Sequence, residues 1–213
     1  MRILLVYAHP AKNSFNRAIL DSLMAELKLA GHDLKLKDLY AEKFDPVLSE
    51  DDLVALHSGE VPARIQKEQA ALSWAEGLVF IYPLWWYATP AILKGWFDCT
   101  FTHGYAFRQQ SDQLQGLLTH RQALIIITAG SKQTWFESKN AVDILYRPIS
   151  EGTLAFCGIN HIKHKIIYDI TSKKEKELNN ILNDIKNDAQ LFEYKNDSNS
   201  AIEHNDLSQQ PST

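Results

Sequence analysis

The segment Tyr82-Pro83-Leu84-Trp85-Trp86-Tyr87-Ala88-Thr89-Pro90 sets three aromatic residues side by side directly after an apolar run. Polar turn residues normally meet solvent at such a place. Adjacent tryptophans between two prolines offer flat π-faces and fixed backbone N–H groups, a stacking wall for a planar heterocycle. The same residues also suit a plug for the core or a subunit contact. The loop His9-Pro10-Ala11-Lys12-Asn13-Ser14-Phe15-Asn16 leads from strand into helix without a glycine, so it is neither a dinucleotide fingerprint nor a Walker loop. A helix start still offers free N–H groups and a positive dipole end, and His9, Ser14 and Asn16 add donors. That combination suits a phosphate, and equally an ordinary N-cap beside a surface histidine. The third loop, Thr128-Ala129-Gly130-Ser131, is built of small residues that let a ligand edge approach the backbone. His103-Gly104-Tyr105-Ala106-Phe107 adds a titratable ring and two aromatics, a mixture common in plain packing.

Other chemistries lack their residues. The sequence has no Cys or His pair at metal-ligand spacing, no Gly-x-Ser-x-Gly elbow, and no carboxylate pair on an apolar background. A planar, phosphate-bearing cofactor that brings its own reactivity fits better, because the protein then has only to bind, orient and polarise. Cys99 and Cys157 sit in apolar company and read as packing residues.

These loops need a scaffold, and composition bounds it. With 213 residues and 45% apolar content, one domain can bury a substantial core. The 22 Lys and Arg against 26 Asp and Glu give a formal charge of −4, which argues against a nucleic-acid partner. Two cysteines are too few for a secreted disulfide framework, and Ile3-Leu4-Leu5-Val6 is too short for a signal peptide, so a cytoplasmic location is expected. The uncharged stretch from Leu78 to Leu93 is interrupted by Pro83 and Pro90 and falls short of the roughly 20 residues that span a bilayer, so no membrane insertion is expected.

Short β-branched runs alternate with stretches of helical period, the pattern of an α/β sheet with crossover helices. Ile3–Val6, Leu78–Ile81 and Leu124–Ile127 are continuous apolar runs, suited to central parallel strands covered on both faces. Leu34–Lys37 alternates and suits an edge strand, and a fifth strand is expected between Ile162 and Ile170. Helices are expected from Phe15 to Ala30, with Ser14 as N-cap and Gly31 just past the end, and around Ala63–Ala75, Ala91–Cys99, Asn140–Phe156 and Lys173–Leu191. The domain is expected to cover 1–194, with a polar tail over 195–213. In a doubly wound sheet the ligand lies outside the carboxyl ends of the strands where strand order reverses, which selects the loops after Tyr7, Ile81 and Thr128.

The run Pro83-Leu84-Trp85-Trp86-Tyr87 continuing into Pro90-Ala91-Ile92-Leu93-Lys94-Gly95-Trp96-Phe97-Asp98 resembles the NAD(P)H:quinone oxidoreductases of flavodoxin-like fold. Ser14-Phe15-Asn16, Asp38-Leu39-Tyr40 and Phe156-Cys157-Gly158 support the resemblance, which covers roughly Arg2 to Ile170 and extends to the ancillary subunits of glutathione-gated potassium efflux systems. It implies a doubly wound sheet of five parallel strands in the order 2-1-3-4-5, and a flavin, FAD favoured over FMN, with NAD(P)H as co-substrate and a quinone or other planar acceptor. By position it places His9, Ser14, Phe15 and Asn16 on the flavin phosphate side. Pro83, Leu84, Trp85, Trp86 and Tyr87 would line the isoalloxazine, and Thr128, Ala129 and Gly130 its pyrimidine edge. Trp86, Tyr87 and Trp135 would share the substrate pocket with Phe107, which falls where the family has an aromatic contributed across a homodimer interface. Better-known members carry a Tyr and, six residues on, a His that stabilise charge on the reduced flavin. Trp135 and Ala141 stand at those positions here, so that relay cannot operate, and backbone donors at Thr128 and Gly130 are the expected substitutes. The expected function is two-electron, ping-pong hydride transfer from NAD(P)H to a quinone. A regulatory subunit on a potassium efflux system and a one-electron carrier are the alternatives, the latter disfavoured by the mild charge.

Overall fold

The computed structural model describes residues 1–111 and 113–192. The expected polar tail, 195–213, lies outside the described residues. The elements in chain order are β1 (Arg2–Tyr7), α1 (Phe15–Leu29), β2 (Asp33–Asp38), α2 (Glu50–His57), α3 (Ala63–Trp74), β3 (Gly77–Pro83), α4 (Ala91–Thr100), β4 (Phe107–Gln110), β5 (Gln113–Gly116), β6 (Gln122–Thr128), α5 (Gln133–Glu137), α6 (Arg147–Ile149), β7 (Ile162–Ile167) and α7 (Glu175–Asp188). Five strands form one parallel sheet in the order β2-β1-β3-β6-β7. Counted within that sheet, this is the expected order 2-1-3-4-5.

The central runs are apolar without interruption because both faces are covered. Leu4, Val6, Phe80, Ile125 and Ile127 point to one layer, with Leu72 of α3 and Leu93, Trp96 and Phe97 of α4. Ile3, Leu5, Val79, Ile81 and Ile126 point to the other, with Ile19, Leu23 and Leu27 of α1 and Ile185 of α7. β2 alternates because it is an edge, with Leu34 and Leu36 half-buried and Asp33 and Lys35 exposed, while Lys37 is buried against Glu68. α1 begins as expected: the Ser14 hydroxyl accepts from the Arg17 N–H. It ends with Gly31 at φ 79° and the His32 N–H bonded to the Leu27 carbonyl, a Schellman closure that only a left-handed residue permits.

Several elements depart from expectation, the short helix α5 among them. The predicted helix over Asn140–Phe156 is instead a 3₁₀ turn (Asp143–Leu145), the single turn α6, and a π-helical turn (Ser150–Ala155). Asn140, at φ 51°, turns the chain before the segment, and Pro148 removes a donor inside it. α2 has only a modest apolar stripe, and its start is set by a capping box between Ser49 and Asp52. The antiparallel hairpin β4–β5 is almost wholly polar and so carries no strand pattern. Both cysteines are free and buried, and burial pushes the Cys157 thiol up to about 11, which keeps it protonated and unreactive. No helix among the described residues is long and apolar enough to cross a membrane.

The α4 layer is drawn tight by polar anchors. The Trp96 indole N–H donates to Glu68 of α3 at 2.9 Å, and Glu68 also accepts from Lys37 of β2 at 2.9 Å. A Cβ at Gly95 would overlap the Pro46 carbonyl, so glycine lets the segment after β2 lie directly on α4. Gly95→Ala is therefore expected to cost about 1–3 kcal/mol, read as a lower urea midpoint; an unchanged midpoint would show that this segment does not rest there.

Candidate active site

β1 is the point where the sheet reverses, with β2 on one side and β3 on the other. Tyr7 pairs with Ile81, Ile81 with Ile126, and Pro83 with Thr128, so β1, β3 and β6 end side by side and release their three loops on one edge.

The β3 loop is pinned at its first residue. The Leu84 N–H crosses to the Thr128 carbonyl at 2.7 Å, and Trp85 and Ala88 then exchange two backbone hydrogen bonds of 3.0 and 2.9 Å. Trp86 and Tyr87 form the two-residue tip, with φ of 52° and 61°. A tip with both φ values positive is the place for Asn-Gly, and side chains as large as these cost about 1–2 kcal/mol each in that region. Such strain persists where the surroundings over-determine it. Here the Tyr87 ring packs edge-on against the buried Phe136, with centroids 5.4 Å apart, and its hydroxyl accepts from the Trp135 indole N–H at 3.0 Å. Trp86, by contrast, is 98% exposed among the described residues.

Between this tip and the β6 loop lies a cavity of about 170 Å³, walled by Leu84, Trp86 and Tyr87 on one side and by Ala129, Gly130 and Trp135 on another. Gly130 has no internal reason to be glycine, since a Cβ there would meet nothing within 4 Å. The Ala129 N–H is spent on the Ile167 carbonyl and the Thr128 carbonyl on Leu84, while among the described residues nothing takes up the Gly130 N–H. The Gly130 N–H, one of the two expected backbone donors, thus has no competitor among the described residues.

The β1 loop is held differently. Thr128 and Asn16 clasp across the switch point, hydroxyl to side-chain carbonyl at 2.7 Å. Asn16 is 3% exposed and its Nδ2 has no hydrogen-bond partner among the described residues, a buried donor that a bound acceptor would satisfy. The Ser14 hydroxyl, besides capping α1, lies 3.1 Å from the Tyr7 hydroxyl, whose pKa burial raises. His9 accepts from the Ala11 N–H at 3.0 Å and so turns back on its own loop, and Phe15 packs on the α1 face of the core.

The expected residues therefore gather at one edge with one exception. Phe107 lies in a different cavity, of about 620 Å³, where its ring meets Phe156 at 5.2 Å. Tyr87 borders both cavities and separates them. Two contributors are absent from the sequence-based set. Phe136, beside Trp135, supports the Tyr87 ring, and Tyr7 ends β1 with a hydroxyl where the strand pattern shows only an apolar run.

Residues 1–189 match the family model described as flavodoxin-like fold. The chain belongs to this flavodoxin-like family. Within it, the chain is 32% identical over 189 residues to NAD(P)H dehydrogenase [quinone] 1 of Cavia porcellus, a match covering 79% of this chain and 69% of the relative. It is also 32% identical over 171 residues to an uncharacterized NAD(P)H oxidoreductase of Haemophilus influenzae, covering 80% and 85%. Among solved structures, the NAD(P)H:quinone oxidoreductase from Methanothermobacter marburgensis superposes with a TM-score of 0.81 at 28% identity, covering 91% of this chain and 99% of that one.

The strained tip is separable from folding. Trp86→Asn, which tolerates positive φ and removes no packed side chain, is expected to raise stability by about 1 kcal/mol, measured by urea unfolding of the ligand-free chain; a clear loss of stability would show that the indole is held by contacts within the chain.

Proposed function

We propose that the chain is a flavin-dependent NAD(P)H:quinone oxidoreductase, in which a reduced nicotinamide and then a planar acceptor use one site in turn. The observation that carries this reading is the strained, exposed Trp86–Tyr87 tip facing an unobstructed Gly130 across a narrow cavity. A chain gains nothing internally from either feature, and a flat ring between them would use both. The names of the relatives support the same activity.

Flavin, when bound, supplies the reversible acceptance of a hydride; the protein supplies position and charge. Leu84, Trp85, Trp86 and Tyr87 would line the ring system, with Pro83 fixing where the loop leaves the sheet. Ala129 and Gly130 would approach its polar edge, where the Gly130 N–H is a preorganised donor. Ser14, Asn16 and the first turn of α1 would hold the phosphate, with Asn16 Nδ2 gaining its missing acceptor. The nucleotide is FAD or FMN, separable by the mass of the released cofactor.

The acceptor pocket is completed in a homodimer. The cavity bearing Phe107 shares Leu48, Asp98, Phe101 and Phe107 with a neighbouring one of about 510 Å³, making a continuous apolar groove. Leu53, Val54, Trp86 and Phe156 add exposed apolar surface. Surface of this kind favours a partner, and pairing would carry Phe107 of one copy toward the small cavity of the other. The two buried, unreactive thiols suit a cytoplasmic location. No observation favours the efflux-subunit or one-electron-carrier reading.

Flavin-loaded protein is expected to oxidise NADH or NADPH with menadione as acceptor, and absence of turnover with both would reject the proposal. Gly130→Val is expected to leave the unfolding midpoint unchanged and to weaken flavin binding at least tenfold; unaltered binding would place the ring elsewhere.

A further inference from the structure

Tyr87 differs from the other cavity-lining residues in carrying a hydroxyl whose accepting side is already occupied. The Trp135 indole has one donor and no acceptor, so in the 3.0 Å contact the proton between the two belongs to the indole. The Tyr87 proton must then point away from Trp135. Rotation of the ring is limited by its edge-on seat against Phe136 and by the left-handed backbone beneath it. Behind the indole, the Lys139 ammonium lies 5.3 Å from the ring centroid, adding a positive charge to the same side. Lys139, Trp135 and Tyr87 thus form a series from a cation through an N–H to an O–H, ending where Tyr87 borders both cavities.

Resting on the flavin reading above, we infer that the Tyr87 hydroxyl is the side-chain donor that stabilises negative charge on the reduced ring, and that Trp135 is the positioning residue that keeps its proton aimed there. Hydrogen bonds in such a chain strengthen one another, and a donor fixed before charge develops needs no reorganisation. This gives the site a side-chain donor built from residues of the β3 and β6 loops, one of them Trp135, which stands where the family's tyrosine would. Neither residue is needed for the fold in this role, since both are partly exposed.

The test uses flavin-loaded protein and the midpoint potential of the bound flavin, determined by equilibration with a redox dye. Tyr87→Phe keeps the ring on Phe136 and removes only the hydroxyl. It is expected to bind oxidised flavin within about twofold of the parent and reduced flavin about tenfold more weakly, a shift of about 30 mV to more negative potential for a two-electron couple. Trp135→Phe is expected to shift the potential in the same direction, and the double variant no further than Tyr87→Phe alone, because the two act as one unit. In the ligand-free protein, Tyr87→Phe should move the Trp135 indole N–H resonance. A potential unchanged in Tyr87→Phe, or additive shifts in the double variant, would overturn the inference while leaving flavin binding intact. Failure of the parent protein to bind flavin would instead overturn the reading on which it rests, and the inference with it.

Discussion

The site depends on the register between β3 and β6. Pro83 stands opposite Thr128, and one residue later the Leu84 N–H bonds back to the Thr128 carbonyl. That bond fixes where the chain leaves the sheet, so that the next four residues can close only as a tight reversal with Trp86 and Tyr87 at its tip. Thr128 serves three elements at once: its backbone holds the β3 loop, its hydroxyl holds Asn16 at the start of α1, and its position begins the β6 loop. A slip of one residue in this pairing would turn every inward side chain of β6 to the other layer. The two buried clusters make that slip expensive, and through it the core of the protein positions a turn that is itself exposed.

The fold was legible because its determinants are local and periodic. Continuous apolar runs could only be strands covered on both sides, and the β2 alternation could only be an edge. The position of the site followed from topology, since the loops beyond β1, β3 and β6 are the ones at the reversal. What the sequence could not carry was geometry that arises between elements. Nothing in Trp86-Tyr87 announces positive φ, because large aromatics are poor candidates for it; the two-residue reversal closed by Trp85 and Ala88 requires it. The polar β4–β5 hairpin has no periodic signal, and the segment after Asn140 has the composition of a helix with a proline in its middle, where position decides between a kink and a break. Phe107, which the resemblance places across a dimer interface, sits within one chain on the other side of Tyr87 from the small cavity.

The site also illustrates how stability and function are traded. Two left-handed aromatic residues, an indole open to solvent, a buried amide donor with no acceptor and a glycine with empty space above it are each unfavourable or pointless in an isolated chain. They lie together at one edge of the sheet, while Glu68, Lys37 and Trp96 anchor the layer of α3 and α4. Several such features meeting around one cavity are the usual mark of a surface kept for a ligand.

The central claim is that a flat, ribityl-bearing ring system stacks on the Trp86–Tyr87 tip. It is tested most directly by titrating the ligand-free protein into FAD and into FMN and following flavin emission, which stacking on an aromatic face quenches. The account predicts saturable quenching at one flavin per chain for at least one of the two nucleotides. Emission that stays unchanged for both, at protein concentrations well into the micromolar range, would contradict it.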